Sequence, residues 1–196
     1  DVDHDDAPVV VCRTGYTGER GYELVIPNEV AVSVWDAILS AGRADGIAAA
    51  GLAARDTLRT EMGYPLHGND ISAEISPVRA GLAWAVGWGK DSFWGHQALR
   101  AERAAGPTRT LRGLVAAGRG IPRAGMAVSS TAGDRIGVVT SGTFSPSRKQ
   151  GIALALLDSQ VAESDQVYVD VRGRRLAFVV TRPPFYAPAV KERQGS

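Results

Sequence analysis

TLRGLVA (110–116), MAVSS (126–130), IGVVTSG (136–142), IALALL (152–157), VYVDVR (167–172) and RLAFVV (175–180) follow one another after Pro107, with Gly, Pro, Ser or Asp between them. Short runs rich in Val, Leu and Ile, bounded by turn residues, read as strands. Most have no helix-length pattern between them. The series therefore predicts a small antiparallel barrel or sandwich, because parallel strands would need crossover helices.

Upstream of Pro107 the pattern is mixed. VVVCR (9–13) and YELVIP (22–27) carry β-branched and aromatic residues and read as two strands. Pro27 stops the second. Asn28 then stands where a helix cap belongs, and Val30, Val34, Trp35, Ile38 and Leu39 recur at helical spacing up to Gly42. A second helix is expected from about Leu52 to Met62 between Gly51 and Gly63, and a third over GHQALRAERAA, ending at Gly106-Pro107. PLHGNDI (65–71) reads as a loop and LAWAV (82–86) as a short strand. The fold class expected is α+β: a partial α+β domain over 1–106, then a small antiparallel β-barrel domain over 107–196. Two or three strands make a thin sheet for the first part, which further strands would have to complete.

Composition narrows the function classes. Twenty-two Lys and Arg stand against 21 Asp and Glu, intermixed along the chain, so no charge asymmetry points to nucleic acid or a membrane surface. No window approaches the roughly 20 apolar residues that a membrane helix needs. The single cysteine, Cys12, sits in a run expected to be buried, permits no internal disulfide and fits a reducing compartment, so a cytoplasmic setting is expected. The opening DVDHDDAPVV has no signal-peptide pattern and no initiator methionine, which reads as a fragment or a processed product.

RTGYTGERGYELV (13–25) is the stretch that strand grammar does not explain, since two turn residues suffice for a hairpin and this one uses glycines at 15, 18 and 21 around Glu19. A phosphate loop is excluded, because no Gly-Lys-Ser/Thr follows at the required spacing and no helix opens at Gly21. A solvated turn acid is one reading of Glu19. The other is a ligand group, since a carboxylate can accept a paired set of N–H donors such as an aminopyrimidine offers. In GLAARDTLRTEMGYPLHGNDI (51–71), Arg55 and Arg59 lie four apart on one helical face with Asp56 and Glu61 nearby, a pattern of local ion pairing that could equally serve a carboxylate-bearing ligand. His4, His67 and His96 are too scattered for a zinc site, so no metal is expected. GTFSPS (142–147) lacks the G-x-S-x-G nucleophile pattern.

RTGYTGERGYE (13–23), AAGLAARDTLRTEMGYPLHGNDI (49–71), SPVRAGLAWAV (76–86) and GVVTSGTFSPSRKQGIALA (137–155), in this order and spacing, resemble the aminomethyltransferase (T-protein) of the glycine cleavage system, over its C-terminal half or so. The resemblance implies transfer of the aminomethyl group from the dihydrolipoyl arm of the H-protein to tetrahydrofolate, with release of ammonia. It implies that Glu19 grips the pteridine N–H groups, Tyr16 flanks the ring, Arg55 meets the ligand from the second helix, and Trp84 and Arg123 line the tail side of the cleft. The family's catalytic aspartate belongs to the N-terminal half, so no catalytic residue is assigned here, Asp56 and Asp70 take support roles, and this chain alone is expected to be inactive. Arg148 stands where the family usually has an apolar residue, which bears on packing at that barrel corner, and PPFYAPAV (183–190) resembles the family's closing segment. Two other readings share the superfamily: the folate domain of a dimethylglycine- or sarcosine-oxidising enzyme, and a non-catalytic folate-binding protein, whose cysteine-containing loop this sequence lacks.

Overall fold

The computed structural model describes the backbone of residues 2–4 and all of residues 7–187. The end of the closing segment, 188–190, and the last residues of the expected barrel domain lie outside the described residues. The chain forms two compact units, one reaching to Leu58 and the other running from Arg59 to Ala187. The stretch 59–106 thus packs as one body with the barrel.

In the first unit, β1 (Val2–His4), β2 (Ala7–Cys12) and β3 (Glu23–Val25) make a three-stranded antiparallel sheet in that order. The acidic opening stretch thus supplies a strand. Pairing of Val10 with Val25 and Cys12 with Glu23 sets the β2–β3 register and leaves residues 13–22 as the connecting loop. Helix α1 spans Ala31–Ala41. Asn28 is not its cap: Asn28–Val30 is a 3-10 turn, Val30 takes the cap position, and no side chain caps the helix. Val9 and Val34 are buried, whereas Val10, Val11, Val25, Val32 and Trp35 are exposed, as a sheet this thin would leave them. Cys12 is half-buried instead of buried, because it ends β2 beyond the reach of β1, which pairs only with Ala7 to Val9. Helix α2 (Leu52–Glu61) begins in this unit and ends in the next.

The second unit is built on six strands, β4 (Arg109–Ala116), β5 (Ala127–Ser129), β6 (Arg135–Ser145), β7 (Gln150–Asp158), β8 (Gln166–Val171) and β9 (Arg174–Thr181). They close into an antiparallel barrel of order β4-β7-β6-β5-β8-β9, with Leu114 opposite Val180 at the closure. Closure decides between barrel and sandwich and removes both free edges. Alternate residues Leu114, Val128, Val139, Val167, Val169, Phe178 and Val180 fill the interior. The run IALALL is apolar throughout because β7 is covered on both faces: Ala153, Ala155 and Leu157 point into the barrel, while Ile152 and Leu154 pack outside against Phe185.

LAWAV is not a strand. Ala83–Ala85 forms a 3-10 turn in which Ala85 N–H donates to Leu82 O at 2.9 Å. Trp88 Nε1 donates to Ala83 O at 2.6 Å, so this backbone is satisfied locally and needs no strand partner. Helix α3 (His96–Ala105) follows, and its Glu102 receives Arg79 Nε at 2.9 Å.

Candidate functional site

The loop between β2 and β3 carries the glycine cluster. Thr14 Oγ1 donates to Glu23 Oε2 at 2.6 Å and closes its base. Of its glycines only Gly18 takes the left-handed conformation, at φ 77°. A Cβ at Gly15 or Gly21 would meet nothing within 4 Å. The loop therefore presents open backbone on either side of Glu19. Glu19 is exposed at the crown, and its backbone N–H donates weakly to Thr17 Oγ1 at 3.4 Å.

Two of the expected residues meet. The Arg55 guanidinium carbon lies 4.6 Å from the centroid of the Tyr16 ring. Arg55 projects from the first turns of α2, where helix geometry carries it toward the loop, and the stack holds both side chains in a flat, cationic arrangement. The other two expected residues belong to the second unit. Trp84, at 81% exposed, projects from the 3-10 turn. Arg123 precedes β5, where its Nη1 donates to Gly142 O at 2.9 Å.

A buried polar centre in the second unit was not legible as such. Arg59 has distant partners that helical spacing does not announce: its Nη1 donates to Asp70 Oδ2 at 2.8 Å and its Nη2 to Ser141 Oγ at 2.9 Å. Ser141 Oγ in turn donates to Asp70 Oδ2 at 2.7 Å, and Leu66 N–H to the same atom at 2.8 Å. Asp70 thus accepts from an arginine, a hydroxyl and a backbone amide. Glu61 is likewise buried and accepts from Ser145 Oγ, from Ser147 N at 3.1 Å and from Ser147 Oγ at 2.9 Å. The serines of GTFSPS, unsuited to nucleophilic attack by motif, hold a carboxylate instead. Arg148 does not disturb its corner: its Nη1 donates to Phe185 O at 2.6 Å. Among the described residues no cluster of three metal-ligating side chains occurs, and no helix is long and apolar enough to cross a membrane.

Comparison with known proteins bears on both units. The family model described as GCVT N-terminal domain matches residues 1–90, and that described as glycine cleavage T-protein C-terminal barrel domain matches residues 109–187. An aminomethyltransferase of Frankia alni is 61% identical over 178 residues, covering 91% of this chain and 49% of the relative. One from Mycobacterium tuberculosis is 57% identical over 190 residues, covering 95% and 51%. The crystal structure of the glycine cleavage system aminomethyltransferase T from Bartonella henselae superposes with a TM-score of 0.85 at 37% identity, over 91% of this chain and 50% of that one. The chain thus spans about half the length of the relatives it matches.

Proposed function

Because the chain belongs to the aminomethyltransferase (glycine cleavage T-protein) family, we propose that it supplies the tetrahydrofolate rim and the barrel of an enzyme that moves an aminomethyl group from a lipoylated H-protein to tetrahydrofolate. The observation that carries this reading is the Tyr16–Arg55 stack on the same unit as the open, glycine-flanked Glu19 loop. A flat heterocycle with adjacent N–H donors needs a carboxylate to accept them, a face to lie against and unobstructed backbone on approach. Glu19, Tyr16 and the open positions at Gly15 and Gly21 have those properties.

When bound, tetrahydrofolate supplies the nucleophilic nitrogen that accepts the one-carbon unit. Glu19 would hold the pterin edge through paired hydrogen bonds, and Arg55 would orient the ring and offset charge on the ligand. Trp84 and Arg123 are assigned to the tail, with Arg123 already oriented by the Gly142 carbonyl. None of these residues manages the proton released with ammonia. That step falls to a carboxylate outside this chain, so the chain alone binds folate without turnover. A cytoplasmic setting goes with this reading.

Calorimetric titration with tetrahydrofolate tests it. Saturable binding by the chain that weakens about tenfold or more in Glu19→Ala supports the reading, on the scale of a charge-assisted pair. Binding that ignores the substitution overturns the assignment of Glu19. Lipoyl-dependent turnover by this chain alone would overturn its predicted inactivity.

A further inference from the structure

A second cavity, unrelated to the glycine loop, opens on the barrel. It is a half-open cleft of about 510 Å³ bounded by the 118–121 segment and the start of β7, within the size range of small-molecule sites. Its apolar surface comes from Ile121 and Phe144, which are 41% and 44% exposed. Its charged residues are Arg119 and Lys149, and no carboxylate lines it. No hydrogen bond or ion pair engages either cationic side chain among the described residues.

The cleft is held in shape by backbone packing. A Cβ on Gly151 would lie 2.0 Å from Gly120 O, and one on Gly142 would lie 2.6 Å from Pro122 O. A Cβ on Gly120 would come within 2.6 Å of Leu176 Cδ1. The 120–123 backbone is therefore pressed onto β6 and β7 with no room for a side chain at Gly142 or Gly151, and Leu176 of β9 packs against Gly120. Lys149 is set at φ 56° at the tip of the β6–β7 turn, a conformation that few non-glycine residues adopt. Here it puts the lysine on the rim of the cleft. Such a site is formed before any ligand arrives, which spares binding the cost of ordering a loop.

From the apolar wall, the two unpaired cations and the absence of acid, we infer that this cleft binds a small organic carboxylate with an aromatic or aliphatic body. The body lies on Ile121 and Phe144. The carboxylate takes Arg119 and Lys149, with Arg119 able to engage both oxygens. This site is independent of the folate reading, and its residues are not among those assigned to folate.

The test is an NMR titration of the full chain with three probes: 2-naphthoate, its neutral isostere 2-naphthamide, and acetate. Naphthoate should shift the amide resonances of 118–121 and 149–151 saturably, and both other probes should bind at least about tenfold more weakly, because each lacks one half of the recognition. Arg119→Ala and Lys149→Ala, both exposed and outside the core, should each weaken naphthoate about five- to tenfold. Raising the salt should weaken it further. Naphthamide binding as tightly as naphthoate overturns the charge assignment. Shifts confined to other residues, or affinity unchanged in both variants, overturn the site itself. Because folate is absent from this experiment, neither result depends on whether Glu19 binds a pterin.

Discussion

Arg59 Nη1 and Asp70 Oδ2 lie 2.8 Å apart with side chains 2% and 0% exposed, so this ion pair is buried. Ser141 Oγ of β6 bonds both charges, the Leu66 N–H of the 65–71 loop donates to Asp70, and Arg59 Nη1 also donates to Tyr64 O. Taking two charges out of water is expensive, and the pair persists because each charge is met by the other and by a hydroxyl or an amide. It ties the end of α2 to the barrel strand that carries Ser141.

Removing one partner should therefore be worse than removing both. Arg59→Ala is predicted to cost about 3–5 kcal/mol in urea unfolding, since Asp70 is left as an uncompensated buried charge. The double variant Arg59→Met with Asp70→Leu is predicted to cost less than either single change. A double variant that loses as much as the two singles together would show that the charges act separately.

Glu61 poses the same question with neutral donors. Glu61→Gln should cost about 2 kcal/mol, because an amide NH₂ replaces an oxygen that accepts from the serine hydroxyls and the Ser147 N–H. Ser147→Ala keeps the backbone donor and should cost roughly half that. Thermal unfolding ranks the two, and equal midpoints would remove Glu61 from the account of how the β6–β7 turn is held.

Two glycines should resist even a methyl group. At Gly63, φ is +70° and an added Cβ would stand 2.1 Å from Pro183 Cβ; at Gly151 it would stand 2.0 Å from a backbone oxygen. Gly63→Ala and Gly151→Ala are each predicted to cost about 2–3 kcal/mol through overpacking. Gly133→Ala is the comparison, with positive φ but open space around it, and should cost about 1 kcal/mol. Three equal losses in denaturant unfolding would mean that crowding contributes nothing.

The stack of Arg55 on Tyr16 makes a finer prediction about the ligand. Tyr16→Phe keeps the ring face and should leave tetrahydrofolate affinity within about twofold, whereas Tyr16→Ala should weaken it about fivefold, the scale of a cation–π contact near the surface. Calorimetry separates these outcomes. Identical affinity in all three proteins would detach the stack from the ligand.

Much of the architecture was readable in the residues. Val-, Leu- and Ile-rich runs spaced by turn residues marked all six barrel strands, because period-two burial and β-branched side chains are properties of each segment alone. The three helices were readable from apolar spacing and flanking glycines for the same reason. Where a segment gave two answers, the environment chose. LAWAV is apolar enough for a strand, but a strand requires a partner, and local hydrogen bonds donated by Ala85, Val86 and Trp88 to the Leu82 and Ala83 carbonyls made a 3-10 turn the satisfied alternative. Asn28 is a good cap by type, yet Pro27 leads into a 3-10 turn that shifts the helix start to Ala31.

The candidate site divides in the same way. The glycine loop and the helical spacing of Arg55 are local features, so the sequence by itself determined that Glu19 stands at a glycine-flanked crown and that Arg55 and Arg59 share one face of α2. Only the tertiary structure decided that Arg55 lies over Tyr16, that the six strands close through β4 and β9, and that Arg59 finds Asp70 and Ser141. The physical reason is separation along the chain: residue type states what a charged group or strand edge requires, and folding alone determines which distant group arrives within hydrogen-bond distance to meet it.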